Sequence, residues 1–257
     1  MSSVPVVRVP LVARTPGVDR GGTAGVAATG GLPGVAGFPW ERAAALGAFV
    51  LADGSGAASQ ATAVRIASGR RAFYVRFECA DRDAWGTYRH RNDPIYREEA
   101  VEVFLAPGEA PPRHYWELEV SPLGVLFAAR IEHPTGRRAD MVADTSWECP
   151  GLEWRAGPAG TGRDEPSGEC RMGTLPVRWP DVLPERPASQ DWWAELAIPW
   201  AALGGRTAGR WRANFYRIER PRGGEAELSC WSPTYTDPPD FHRPERFGVL
   251  ELDPAGS

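Results

Sequence analysis

The sequence predicts an all-β protein, an antiparallel two-sheet β-sandwich of the jelly-roll or immunoglobulin-like kind with one or two short helical turns. Three observations lead there. Gly (29) and Pro (25) fill about a fifth of the 257 residues, against roughly 12% in average usage, and each resists a helix interior by about 1 to 3 kcal/mol. Apolar residues recur with period two in about ten short runs, as strand side chains alternate between the faces of a sheet. Turn-forming Gly and Pro separate those runs where a helical protein would show a 3.6-residue period, the pattern of two packed antiparallel layers.

In chain order, residues 1–39 form a Gly/Pro-rich segment packed on or leading into the domain, and 40–257 a single sandwich. Residues 41–46 (ERAAAL) have the composition of one or two helical turns. Residues 61–67 (ATAVRIA) and 72–79 (AFYVRFEC) read as a hairpin across Ser68-Gly69-Arg70-Arg71, with Phe73, Val75 and Phe77 on one face. In 101–105 (VEVFL), Val101, Val103 and Leu105 take one side, Glu102 and Phe104 the other. In 114–120 (HYWELEV), Trp116, Leu118 and Val120 point inward and Tyr115, Glu117 and Glu119 outward. The turn Ser121-Pro122-Leu123-Gly124 leads into 125–131, and further strands fall at 152–156, 192–198, 211–219 and 247–252. Residues 199–203 (PWAAL), opened by Pro and closed before Gly204, suit a single helical turn. The segment 157–190, rich in Gly, Pro and charge, is longer than ordinary loops and reads as a surface insertion.

A net charge of −4 argues against a nucleic-acid partner, which needs a basic stripe to displace counterions. All 29 basic residues are Arg, so a Gly-Lys-Ser/Thr phosphate loop, a Schiff-base lysine and a kinase-type lysine are excluded. No stretch supplies the ~20 strongly apolar residues of a membrane span, so no membrane partner is expected. The N-terminus shows no signal-peptide core, which slightly favours the cytoplasm. Four Cys (Cys79, Cys149, Cys170, Cys230) lack CxxC spacing and read as reduced core thiols.

The aromatic residues carry the most functional content. Trp116, Trp193 and Trp211 are core candidates by alternation, whereas Trp85, Tyr96, Tyr235 and Phe241 stand in polar loops. Loop aromatics beside carboxylates suit a sugar, whose C–H face packs on a ring while its hydroxyls meet flanking acceptors and donors. Glu102, Glu117, Glu119 and Asn214 could supply these. Glu102 with Glu117 or Glu119 also fits the residue types of a glycoside hydrolase, although a solvated strand face is the favoured reading of the acidic pairs. The four His show no paired metal spacing, and no axial haem pair is evident. Asp81, Asp83, Asn92 and Asp93 offer hard oxygen ligands for calcium without the spacing of a calcium loop.

Taken together, 73–81 (FYVRFECAD), 92–105 (NDPIYREEAVEVFL), 214–220 (NFYRIER) and 231–250 (WSPTYTDPPDFHRPERFGVL) resemble family 9 carbohydrate-binding modules, nearest to the stand-alone family 9-like proteins, over roughly residues 40–253. The resemblance implies a β-sandwich that binds sugars without cleaving them and carries structural calcium. Family members clamp a terminal sugar between two tryptophans; the matching positions here are Tyr96 and Phe241, whose smaller faces imply weaker or different sugar binding. Glu102 matches a family acidic residue that accepts sugar hydroxyls, with Asn214 and Trp85 expected nearby. At Glu119 some members carry Arg, so that contact is not inherited. The expectation is thus a carbohydrate ligand and no catalytic group, the alternatives being a glycoside hydrolase or a structural or interaction sandwich with no ligand; no cofactor is certain, and calcium could serve as a structural ion.

Overall fold

Alternating apolar residues build two sheets face to face in the computed structural model, which describes residues 3–12, 35–159 and 190–254. The described strands are Val6–Val9 (β1), Ala44–Ala45 (β2), Val50–Leu51 (β3), Thr62–Ser68 (β4), Ala72–Cys79 (β5), Ala100–Pro107 (β6), His114–Val120 (β7), Leu126–Glu132 (β8), Val142–Asp144 (β9), Glu153–Pro158 (β10), Trp192–Pro199 (β11), Arg210–Glu219 (β12), Glu227–Cys230 (β13) and Gly248–Leu252 (β14). The larger sheet runs β1-β14-β12-β6-β7-β8-β9, with β13 joining β12 to β3; the smaller runs β10-β11-β5-β4-β2. Among the described strands every ladder is antiparallel except the edge pair β1–β14, which makes the larger sheet mixed.

The central core lies between the sheets. Val101, Val103 and Leu105 of β6 and Leu118 and Val120 of β7 meet Phe73, Val75 and Phe77 of β5 and Leu196 and Ile198 of β11. Full burial of each such side chain contributes about 1.5–3 kcal/mol. A buried Asp81–Arg217 ion pair (2.8 Å) ties the end of β5 in one sheet to β12 in the other.

A second apolar layer covers the far side of the larger sheet. Ile95, Phe241 and Phe247, from loops, pack on Phe104, Tyr115, Phe127 and Tyr216. This layer overturns one expectation: Tyr115, Glu117 and Glu119 do point away from the inter-sheet core, yet they are buried rather than solvated, because the loop at 231–247 folds back over that face.

Two smaller corrections concern local structure. Over 41–46, one 3₁₀ turn (Trp40–Arg42) gives way to the short strand β2, which pairs with β4 through Ala44↔Ile66. Strand pairing supplies ladder hydrogen bonds that an isolated helical turn lacks. On β11 the buried tryptophan is Trp192; Trp193, expected in the core, faces outward beneath the guanidinium of Arg155 (5.1 Å) and donates to the Pro158 carbonyl (3.2 Å). Trp211 is buried and Trp116 half-buried against the core. The turn after β11 forms as a 3₁₀ helix, Trp200–Leu203, closed by Gly204 at φ 78°, a left-handed conformation that suits a residue without Cβ.

Cys79, Cys149 and Cys230 are buried free thiols. Cys170, most of the expected insertion at 157–190 and most of the N-terminal segment lie outside the described residues.

Candidate functional site

Two neighbouring strands place three carboxylates on the loop-covered face. In β6 the residues that alternate with the core valines are Ala100, Glu102, Phe104 and Ala106. In β7 they are Tyr115, Glu117 and Glu119. Antiparallel register sets Glu102 directly opposite Glu119 and Phe104 opposite Glu117. Oxygen atoms of Glu102, Glu117 and Glu119 consequently lie within 4.8 Å of one another, all three side chains buried.

These carboxylates form the floor of a 330 Å³ pocket that Tyr96 and Phe241 also line, within the size range of small-molecule sites. Tyr96 sits on a 3₁₀ turn whose other apolar residue, Ile95, is buried as an anchor. Its ring is 42% exposed and meets Phe127 edge-on at 5.7 Å. The preceding loop is pinned to β8 by Asn92, which donates to the Thr145 carbonyl (2.8 Å) and accepts from the Ala128 N–H (3.0 Å). Phe241 is 6% exposed: one ring face stacks on Tyr216 at 4.2 Å, and its carbonyl accepts from the Tyr216 hydroxyl at 2.9 Å.

The polar rim adds His242 and Arg138. His242 Nδ1 is hydrogen-bonded to the Tyr115 hydroxyl (2.7 Å), which turns Nε2 to within 3.8 Å of Glu117. Burial, with Arg138 nearby, depresses its proton affinity well below the ordinary histidine range, so the ring is neutral. Arg138 keeps 55% of its side chain in solvent and pairs with Asp240 at 3.4 Å. Burial pushes Glu117 up to about 7. Burial, reinforced by the neighbouring carboxylates, holds Glu102 and Glu119 well above the ordinary carboxylate range.

Of the residues singled out from the sequence, Tyr96, Phe241 and Glu102 thus line one pocket. Trp85 and Asn214 do not. Trp85 donates to the Arg220 carbonyl (2.6 Å) beneath the Arg222 guanidinium. Asn214 is fully buried, donating to the Ser232 carbonyl (2.8 Å) and accepting from the Ser232 N–H (3.0 Å); it fastens the chain after β13 to β12. Sequence reasoning named Glu117 and Glu119 as possible hydroxyl acceptors while favouring a solvated face for them, and it passed over His242 as a pocket group. The E-x-E spacing in β7 was visible, but its meeting with Glu102 depends on strand register.

Asp81, Asp83, Asn92 and Asp93 do not gather round one point. Asp93 accepts from the backbone N–H groups of Arg89 and His90, and Asp83 meets Arg222. The oxygen atoms of Asp81 instead cluster with those of Glu99 and Glu219. There Asp81 accepts from Arg217, from Trp192 Nε1 (3.1 Å) and from the Asp83 N–H (2.8 Å), so a guanidinium already supplies positive charge where calcium would. Among the described residues, no helix is long and apolar enough to cross a membrane.

Comparison with solved structures defines the class of fold: it is that of carbohydrate-binding proteins, family 9 modules among them. A protein of Bacteroides uniformis to which carbohydrate binding is ascribed superposes with a TM-score of 0.65 at 16% identity, over 98% of this chain and all of that one. A family 9 carbohydrate-binding module of Caldicellulosiruptor kristjanssonii, solved with cellotriose and with glucose, gives a TM-score of 0.52 at 11% identity over 98% of this chain and 95–97% of the module. In sequence, an "Extracellular protein" of Arthroderma benhamiae is 31% identical over 81 residues, a match that spans 31% of this chain and 36% of that relative. No family model matches the chain.

Proposed function

We propose that this protein is a non-catalytic sugar-binding module that holds its ligand in the pocket between Tyr96 and Phe241. The observation that carries this reading is that two loop aromatics remote in sequence line one pocket together with Glu102. The exposed Tyr96 ring offers a stacking face, and the carboxylates beneath it accept or share hydroxyl hydrogens. Asn214 contributes by fastening the chain after β13, and Trp85 lies away from the ligand.

Binding suits the carboxylates better than hydrolysis. A glycosidase sets two carboxyls on either side of the scissile bond, about 5–5.5 Å apart or more. Here three acids rise from one sheet face with an oxygen of each within 4.8 Å of the others, a cluster and not a pair set on two sides of a cleft. Calorimetric titration with a panel that includes glucose and cello-oligosaccharides tests the proposal. Tyr96→Ala is expected to weaken binding by at least about tenfold, the loss of about 1.5 kcal/mol of apolar burial. Equal binding by both proteins would remove this pocket from consideration.

A further inference from the structure

We propose that the floor of the pocket is a divalent-cation site in which Glu102, Glu117 and Glu119 are the ligands, for an oxygen-preferring ion of the calcium or manganese class. Their oxygens lie within 4.8 Å of one another. That span is one coordination sphere, since oxygen ligands sit about 2.3–2.6 Å from such an ion on either side. A second observation points the same way: Glu119 lines the pocket at 1% exposure, and among the described residues no N–H or hydroxyl donor reaches its Oε2, its hydrogen-bonding neighbour being another acid, Glu117. Because it stands at a pocket, unlike the acids between the sheets, an acceptor in that state is open to a cation or donor from outside the chain.

The protein supplies little positive charge of its own here. Arg138 is the cationic side chain on the pocket wall, and it is largely in solvent and engaged by Asp240. The ligands stand on adjacent inner strands of the larger sheet, which fixes their spacing. His242 lies beside Glu117, its ring oriented by Tyr115, the kind of supporting contact that steadies a ligating carboxylate. The inference stands on the carboxylates and not on the sugar reading. Where both hold, the cation would face the hydroxyls of the bound sugar. The rival occupant is an ammonium group, as on an amino sugar; it brings one charge to three carboxylates, where a divalent ion brings two.

The test is calorimetry on chelator-treated protein, titrated separately with Ca²⁺, Mn²⁺, glucose and glucosamine at neutral pH. One saturable metal site with Kd below about 1 mM is expected. It should weaken by about tenfold or more in Glu119→Gln and in Glu117→Gln, and persist in Glu99→Gln, which alters the other buried acidic group. Circular dichroism confirms that the variants are folded, and two pocket variants guard against the failure of one. Absence of saturable metal binding, or metal binding that survives both pocket substitutions, overturns the inference. So does glucosamine binding that Glu119→Gln abolishes while the metals produce no heat. Glucose binding to chelated protein reports on the sugar reading alone, so either idea can fail visibly without the other.

Discussion

Among the described residues two buried triads of carboxylates lie on opposite faces of the larger sheet, and they differ in character. Asp81, Glu99 and Glu219 gather at the end of the inter-sheet core. Glu102, Glu117 and Glu119 gather on the opposite face of the larger sheet. The difference originates in β6 and the residue before it: Glu99 and Glu102 are an odd number of residues apart, so strand alternation sends them to opposite faces. The first triad has its own counter-charge. Arg217 is wholly buried, bonds to Asp81 and donates to the Ala80 carbonyl (2.8 Å). The second has a neutral imidazole and a solvated arginine. A buried acidic group tied to a buried guanidinium acts as a strut; the pocket triad, with only the half-solvated Arg138 beside it, fits the binding role proposed above.

The largest effect should come from removing the strut. A buried ion pair deprived of one partner leaves an uncompensated charge, which costs about 3–5 kcal/mol. Arg217→Met is therefore expected to lower the unfolding free energy in urea by about that amount. The substitution also strips donors from Asp81 and from the Ala80 carbonyl. A loss below about 1 kcal/mol would show that the two triads do not differ in the way described.

Protonation bears on the first triad through Glu99. Among the described residues no N–H or hydroxyl donor reaches either oxygen of Glu99, whose hydrogen-bonding neighbour is the acid Asp81, and burial, with Asp81 next, raises its proton affinity to about 10. Relative to the unfolded chain, the folded protein binds an extra proton there between about 4.5 and 10. The sign follows: this contribution to stability is complete below the unfolded value and drains away as the pH rises toward the folded one. Wild type should lose stability relative to Glu99→Gln by up to about 1.4 kcal/mol per pH unit across that window. Parallel pH profiles of urea unfolding for the two proteins would mean that Glu99 titrates normally.

Much of this architecture is legible in the amino-acid order, and the remainder fails for one physical reason. The β5 pattern Phe73, Val75, Phe77, the VEVFL alternation of β6 and the turn ended by Gly204 are local, and the structure contains each of them. Period two also separates Glu117 and Glu119 from Leu118 correctly. It cannot report that a loop more than a hundred residues downstream buries them, and so a covered face resembled a solvated one. Trp193 failed in the same way, since alternation says which residues share a face and not which face is the core. Tyr96 and Phe241 were paired only through resemblance to a family; nothing in their own spacing brings two distant loops to one pocket.

The smallest expected effect belongs to the pocket triad, and it sharpens the contrast most. Glu102 and Glu119 are direct cross-strand partners, both held well above the ordinary carboxylate range, and ionising both would destabilise the sheet by some tenths of a kcal/mol up to about 1 kcal/mol. Glutamine at 119 keeps the shape, removes one acid and still has an amide N–H to offer Glu117. In metal-free protein Glu119→Gln should therefore leave the unfolding free energy unchanged or raise it by up to about 1 kcal/mol, where Arg217→Met is costly. Stability of this group without its third acid fits a site kept for what it binds, because a carboxylate needed for folding would be missed. A loss beyond about 1 kcal/mol in the same urea experiment would instead make Glu119 a second strut, and the two triads would be alike in kind.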